Sequence, residues 1–339
     1  MAANAFYRLA RGSLVLALTV VVLGAWVRLS DAGLGCPDWP GCYGHLDVPR
    51  GESAIAAANA SYPERPLESH KAWKEMSHRY AAGALGLLVL IMAWLAWRDR
   101  RSPGQPVALA VLLAVLILFQ ALLGMWTVTL KLKPLVVMAH LLGGFATLAL
   151  LWWLVLSARP QAALPLVARG LRFWSLAALL VLLLQVALGG WTSANYAALA
   201  CTDFPTCHGQ WWPAADFREA FVLWRGVGPS YEYGVLDSAA RTAVHLSHRL
   251  GALLVLLVVG GLALRLALDT LAALRPLGWV LLGLLLLQLG LGIGNVLLVL
   301  PLPVAVAHNG VAALLLLALV TINHRLWRPL RGQISGARQ

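Results

Sequence analysis

Acidic side chains are scarce in this chain. Only 14 of 339 residues are Asp or Glu, and charged residues of both signs reach just 12%. Soluble domains carry about 25%. With 60% hydrophobic residues and a mean hydropathy of +0.76, a soluble protein is excluded and an all-α integral membrane protein is implied. The alternation of inward and outward residues that a membrane β-barrel needs is also missing, so the apolar runs are helices. Eight unbroken runs, near 13–29, 74–97, 106–130, 134–157, 172–194, 239–265, 275–299 and 302–323, approach the ~20 residues that cross a bilayer. Arg8 and Arg11 precede the first run, but no small-residue cleavage site follows it. Trp26 and Arg28 end it as at a membrane interface, so it reads as a retained helix rather than a signal peptide.

The few acids also avoid one face. With the N-terminus placed inside, the inside segments hold Arg8, Arg11, Arg98, Arg100, Arg101, Arg159, Arg169, Arg172, Arg265, Arg275, Arg325, Arg328, Arg331 and Arg338, against only Asp99 and Asp269. This is the positive-inside pattern. It predicts a multi-pass protein of a bacterial inner (cytoplasmic) membrane, with both termini cytoplasmic. The high pI then reflects a lipid bilayer partner, and no nucleic acid is needed to explain it. Two long loops, roughly 30–73 and 195–238, fall on the periplasmic side.

The chain is written twice. Leu188-Gly189-Gly190-Trp191 echoes Leu23-Gly24-Ala25-Trp26, and Cys201–Cys207 echoes Cys36–Cys42, both shifted by 165 residues. His248-Arg249 echoes His78-Arg79 at a shift of 170, and His308 echoes His140 at 168. An even number of helices per copy gives both copies one orientation, related by an axis along the membrane normal. The expected architecture is two pseudo-symmetric four-helix bundles, residues 1–160 and 161–339. Gln120…Gly124, Gln185…Gly189 and Gln288…Gly292 recur at matched places, where small residues allow close helix packing or a flat ligand.

His78, His140, His248 and His308 each lie on an even-numbered span, shortly after the chain enters from outside. At ~1.5 Å rise per residue they share one depth, roughly 8–10 Å below the outer helix ends. Two imidazoles facing each other across a bundle suit the axial positions of a haem iron, whereas a zinc site wants three or four closer ligands. Arg79 and Arg249 follow two of these histidines, and their guanidinium groups suit haem propionates or a loop carboxylate. His45, His70, His208 and His324 read as loop or interface residues. One pair breaks the symmetry: Glu75 in the first copy corresponds to His245 in the second. Glu75 shares a helix face with His78, which marks the first half as the reacting half and the second as a resident electron-transfer site.

The cysteines are few as well, four in all. On an oxidising face, Cys36–Cys42 and Cys201–Cys207 are expected to form disulfides, either as structural staples or as redox-active pairs. The spacing is neither C-x-x-C nor C-x-x-C-H, so covalent haem attachment is not indicated.

Taken together, Glu75-Met76-Ser77-His78-Arg79 with His140, His248-Arg249 and His308, in eight helices with paired outside cysteines, resembles the heme A synthase family. Cys201-Thr-Asp-Phe-Pro-Thr-Cys207 and Phe221-Val-Leu-Trp-Arg225 are similar to its bacterial members in particular. The resemblance implies an oxidoreductase that converts heme O to heme A by oxidising a ring methyl to a formyl group, through successive hydroxylations. It implies His78 and His140 as ligands of the substrate heme O, Glu75 as the catalytic residue, and His248 and His308 as ligands of a resident heme B. The farnesyltransferase that makes heme O and the assembling heme-copper oxidase are the implied partners, with an external electron donor. The rival readings are a diheme membrane cytochrome that moves electrons without modifying haem, a thiol-oxidising enzyme built on the cysteine pairs, and a haem carrier.

Overall fold

A computed structural model describes residues 2–158 and 170–327. The boundary expected at 160/161, with Pro160 and Pro165, and Arg159, Arg169, Arg328, Arg331 and Arg338 lie outside the described residues. Within them the chain forms α1 (Ala2–Leu29), α2 (Glu52–Ser61), α3 (Ser69–Arg98), α4 (Val107–Thr129) and α5 (Pro134–Ser157). It continues with α6 (Leu171–Ala194), α7 (Phe217–Ala220), α8 (Ser238–Ala267), α9 (Arg275–Leu297) and α10 (Leu302–Trp327). All but α2 and α7 are long and apolar enough to cross a membrane, which gives the eight expected spans.

The helices outrun the apolar runs where polar residues can sit in water or at the interface. α3 starts at Ser69, ahead of the expected Lys74, with Ser69, His70 and Lys71 in its first turn. α10 runs to Trp327 and ends on His324 and Arg325, cations that the helix C-terminus favours. Asp237 caps α8 by accepting from the Ala240 N–H, and Pro134 opens α5 where its missing donor costs nothing.

Packing follows two closed cycles. In the first, α1 meets α3, α3 meets α4, α4 meets α5 and α5 returns to α1. In the second, α6, α8, α9 and α10 close in the same way. Across the two, α1 packs on α10, α5 on α6, and α5 on α10. Exchanging α1 with α6 and α5 with α10 maps this set of contacts onto itself, as a twofold relation requires.

The duplication reaches the backbone. The turn after α4 places Lys131 and Leu132 at φ 47° and 60°, and the turn after α9 places Val299 and Leu300 at 59° and 57°. None is glycine, and a β-branched valine in this left-handed region costs roughly 1–2 kcal/mol. Each turn recovers main-chain bonds: Leu132 N–H to Thr127 O at 2.8 Å, and Leu300 N–H to Asn295 O at 2.8 Å. These closures end one helix and send the next one back with a histidine six residues in.

Polar ties join the halves inside the membrane. The Trp152 indole donates to Thr321 Oγ1 at 2.8 Å, and the Ser175 hydroxyl donates to Asn323 Oδ1 at 3.1 Å. Beyond the helix ends, the second long loop lies over the first half. Tyr231 N–H donates to Lys131 O at 3.0 Å, and Arg65 pairs with Glu232 at 2.6 Å. Buried Lys133 donates to the Gly226 carbonyl and stands 3.0 Å from the centre of the Trp224 ring. Burial pulls its ammonium below the usual lysine range.

Candidate functional site

Four histidine–glycine pairs define the site. A Cβ on Gly24 of α1 would stand 3.0 Å from His78 Cε1, and one on Gly124 of α4 would stand 3.5 Å from His140 Cε1. In the second half, Gly189 of α6 and Gly292 of α9 stand in the same way at 3.2 Å from His248 and His308. Each imidazole is therefore seated against a neighbouring helix where no side chain intervenes. His78 and His140 face each other with ring centroids 6.5 Å apart and planes at 86°.

That spacing fits a metal held between two rings. A metal–imidazole nitrogen bond is about 2 Å, which sets two axial rings roughly 6 Å apart, centre to centre. The hydrogen bonding fits as well. The His78 ring reaches the Val20 carbonyl, His140 that of Gln120 and His308 that of Gln288. Among the described residues, Nδ1 of each of these three rings has no hydrogen-bond partner despite burial. One nitrogen engaged by a main-chain carbonyl and one left over is what a ligating imidazole shows. His248 lies near both His308 and His245.

Glu75 is buried, at 5% exposure. Its Oε2 accepts the Cys36 N–H at 2.9 Å, and its Oε1 accepts from Arg79 at 2.6 Å. His245 repeats both contacts: its Nδ1 accepts the Cys201 N–H at 3.1 Å, and its Nε2 meets Arg249 Nε at 3.3 Å. The position that differs between copies thus has the same structural task in both, fastening a cysteine loop to its helix. Sequence reasoning missed this task. The signal was present in the four-residue spacing of Glu75–Arg79 and His245–Arg249, which puts each pair on one helix face.

The arginines complete the fastening. Arg79 Nη1 donates to the carbonyls of Asp38 at 3.0 Å and Gly41 at 2.5 Å. Arg249 donates to those of Asp203 and Thr206 at 2.8 Å. Both guanidinium groups are engaged by loop carbonyls, with Glu75 adding a carboxylate for Arg79.

Both disulfides are present, Cys36–Cys42 and Cys201–Cys207. All four cysteines are at most 1% exposed. Thiol exchange needs access for an attacking thiolate, so this burial favours staples over redox-active pairs. A mild thiol reductant should leave both bridges intact in the folded protein. Quantitative alkylation of any of the four cysteines without denaturant would contradict that.

The loops share one design. Asp38 accepts from the N–H groups of Tyr43 and Gly44, and Asp203 from those of His208 and Gly209. The Thr206 hydroxyl and then the Gly209 N–H hold the Asp203 carboxyl well below the usual carboxylate range. A depressed folded pKa contributes stability in full above the unfolded value and loses it as pH falls through the folded value. The second loop should therefore keep its amide-exchange protection factors from pH ~7 down to the ordinary Asp pKa of about 3.9 and loosen only in stronger acid. Protection that fades near pH ~5 would contradict this.

The remaining histidines are elsewhere. His45 and His208 belong to the cysteine loops, and His70 to the first turn of α3. His324 is buried at the far end of α10, its ring 4.8 Å from Trp153.

The chain is similar to known proteins over nearly its whole length. Residues 7–320 match the family model described as cytochrome oxidase assembly protein. A heme A synthase of Shewanella oneidensis is 50% identical over 321 residues, 94% of this chain and 96% of that protein. One of Caulobacter sp. strain K31 is 28% identical over 335 residues, 93% of this chain and 94% of that protein. A heme A synthase of Shouchella clausii is 30% identical over 214 residues, 60% of this chain. With a match across nearly its whole length, a duplicated set of membrane histidines and a disulfide in each copy, the chain belongs to the cytochrome oxidase assembly protein family.

Proposed function

We propose that this chain is a heme A synthase, an oxidoreductase that oxidises one ring methyl of heme O to the formyl group of heme A. One observation carries the reading: two matched pairs of half-buried histidines, only one of them accompanied by a buried carboxylate. The two helix cycles are read as two four-helix bundles. In the first, within residues 1–160, His78 and His140 hold the substrate heme O. In the second, within 161–339, His248 and His308 hold a resident heme B. Bound iron supplies the one-electron and oxygen chemistry that amino-acid side chains lack.

The chain's own residues do the rest. Glu75 keeps a carboxyl group one helical turn before His78, on the same face, where it can hold or pass a proton. Arg79 and the Cys36 N–H fix that carboxyl's direction. The apolar helices exclude bulk water and admit a farnesyl tail from the lipid side. Arg79 and Arg249 sit close enough to their histidines to meet propionates at the outer edge of each pocket. The cysteine loops face the periplasm and both termini the cytoplasm. The short inside loops show no nucleotide or flavin motif, so reductant comes from an external donor. A farnesyltransferase supplies heme O, and a heme-copper oxidase under assembly receives the product.

The test is chemical. The protein is expressed with a source of heme O, and its pigments are extracted in acid-acetone and chromatographed. A new formyl-bearing haem is expected. Heme B and heme O recovered unchanged would identify a diheme cytochrome or a haem carrier instead.

A further inference from the structure

Both cysteine loops carry apolar side chains that the protein leaves uncovered. Each loop closes on a two-bond turn, Cys42 with His45 and Cys207 with Gln210. The residues that follow, Leu46 and Trp211, are shifted by the same 165 residues as the cysteines and are 85% and 76% exposed. Trp212, beside Trp211, is 64% exposed. Ahead of each turn Trp39 and Phe204, again 165 residues apart, are exposed as well. The apolar tip is thus built in both copies, from different residues. A cluster of uncovered aromatic and aliphatic side chains marks a surface that meets something other than water.

Height decides what meets the tips. The Tyr80 hydroxyl donates to the Leu46 carbonyl at 2.9 Å, next to the bonds from Arg79 to Asp38 and Gly41. In the second copy Arg249 holds the loop by the carbonyls of Asp203 and Thr206. Tyr80 stands 18 residues before Arg98, the last residue of α3, roughly 27 Å along the helix. Arg249 stands 16 residues before Arg265 in the last turn of α8, roughly 24 Å. The hydrocarbon layer is ~30 Å thick, so both anchoring residues lie near its edge, opposite the arginine-bearing ends. Helical side chains lean toward the N-terminus, which hangs both loops at that edge, level with the headgroups. The uncovered apolar surface continues from Leu46 onto exposed Tyr80 and, two turns further along the same face of α3, exposed Leu87. On the reading that α3 and α8 span the bilayer, we propose that the two tips are lipid anchors, which insert Leu46, Trp211 and Trp212 into the boundary between headgroups and acyl chains. Tryptophan favours that boundary, and lipid is the occupant that the same face of α3 already meets. Each cysteine loop is then held twice, by an arginine from within and by the bilayer at its tip.

Spin labels test this in the full chain, reconstituted into nanodiscs of phosphatidylethanolamine and phosphatidylglycerol. Leu46→Cys and Trp211→Cys are labelled separately with a nitroxide, the four native cysteines being buried in disulfides. Leu87→Cys on α3 reports lipid, and Glu64→Cys, exposed between α2 and α3, reports water. Oxygen concentrates in lipid and a nickel chelate in water, so the ratio of the two collision rates reads depth. Both tips should give a ratio several-fold above that of Glu64→Cys, and Leu46→Cys decides the matter should Trp211→Cys fail to fold. Tips that match Glu64→Cys would overturn the inference alone. Tips shielded from both reagents would overturn it too, as the mark of a partner protein or a second copy on that surface. A Leu87→Cys label that reads water would overturn the spanning of α3 and the inference with it.

Discussion

Glu75→Gln should reduce formation of the formyl product by about 10²–10⁴-fold, the usual contribution of a general acid or base, while heme B stays bound in the second half. Glutamine keeps an oxygen for the Cys36 N–H and nearly the same volume, and Arg79 keeps its loop carbonyls, so the loop stays fastened; what it removes is the charge, the exchangeable proton and the oxygen that accepts from Arg79. Glu75→Ala is a different experiment. It leaves the Cys36 N–H without an acceptor as well as the Arg79 guanidinium, 12% exposed, without its carboxylate. Stranding one partner of a buried pair costs about 3–5 kcal/mol, so the Cys36–Cys42 loop should loosen as well. The two variants separate chemistry from fastening: both lose product, but only the alanine variant exposes its disulfide to a mild reductant. Product from Glu75→Gln at the wild-type rate would remove the carboxyl from the reaction.

His248→Ala or His308→Ala should empty the second half of haem and stop product formation, even though the first half still takes up heme O. On the proposed reading each imidazole would be one of two ligands to its iron, and alanine has no lone pair to replace it. Pigment chromatography reads both effects at once: heme B falls towards zero, heme O accumulates and the formyl product is absent. Continued product from a variant without heme B would deny the second half any part in electron supply.

The spans were legible because eight apolar runs in a nearly uncharged chain leave few other structures open. The boundaries were less so. α3 begins five residues before the expected Lys74, because helical hydrogen bonding continues through Ser69, His70 and Lys71 once the chain leaves the apolar layer. The histidine pairs were legible from repetition at matched depth. Their glycine seats were visible as glycines, but which ring each one faces depends on helix rotation, which no local pattern encodes. Glu75 was singled out for breaking the symmetry. Its bond to Cys36 spans 39 residues and needed the fold. The reach of the second outside loop over the first half, through Tyr231, Glu232 and Trp224, also has no sequence signal, since long-range loop contacts follow neither helical nor strand period.

Low-temperature electron paramagnetic resonance of the oxidised, purified protein tests the central claim most directly. Two low-spin ferric signals with bis-imidazole character are predicted. Alanine at both His78 and His140 should delete one signal, and alanine at both His248 and His308 the other. No low-spin signal in the wild type, or signals that survive all four substitutions, would contradict the account.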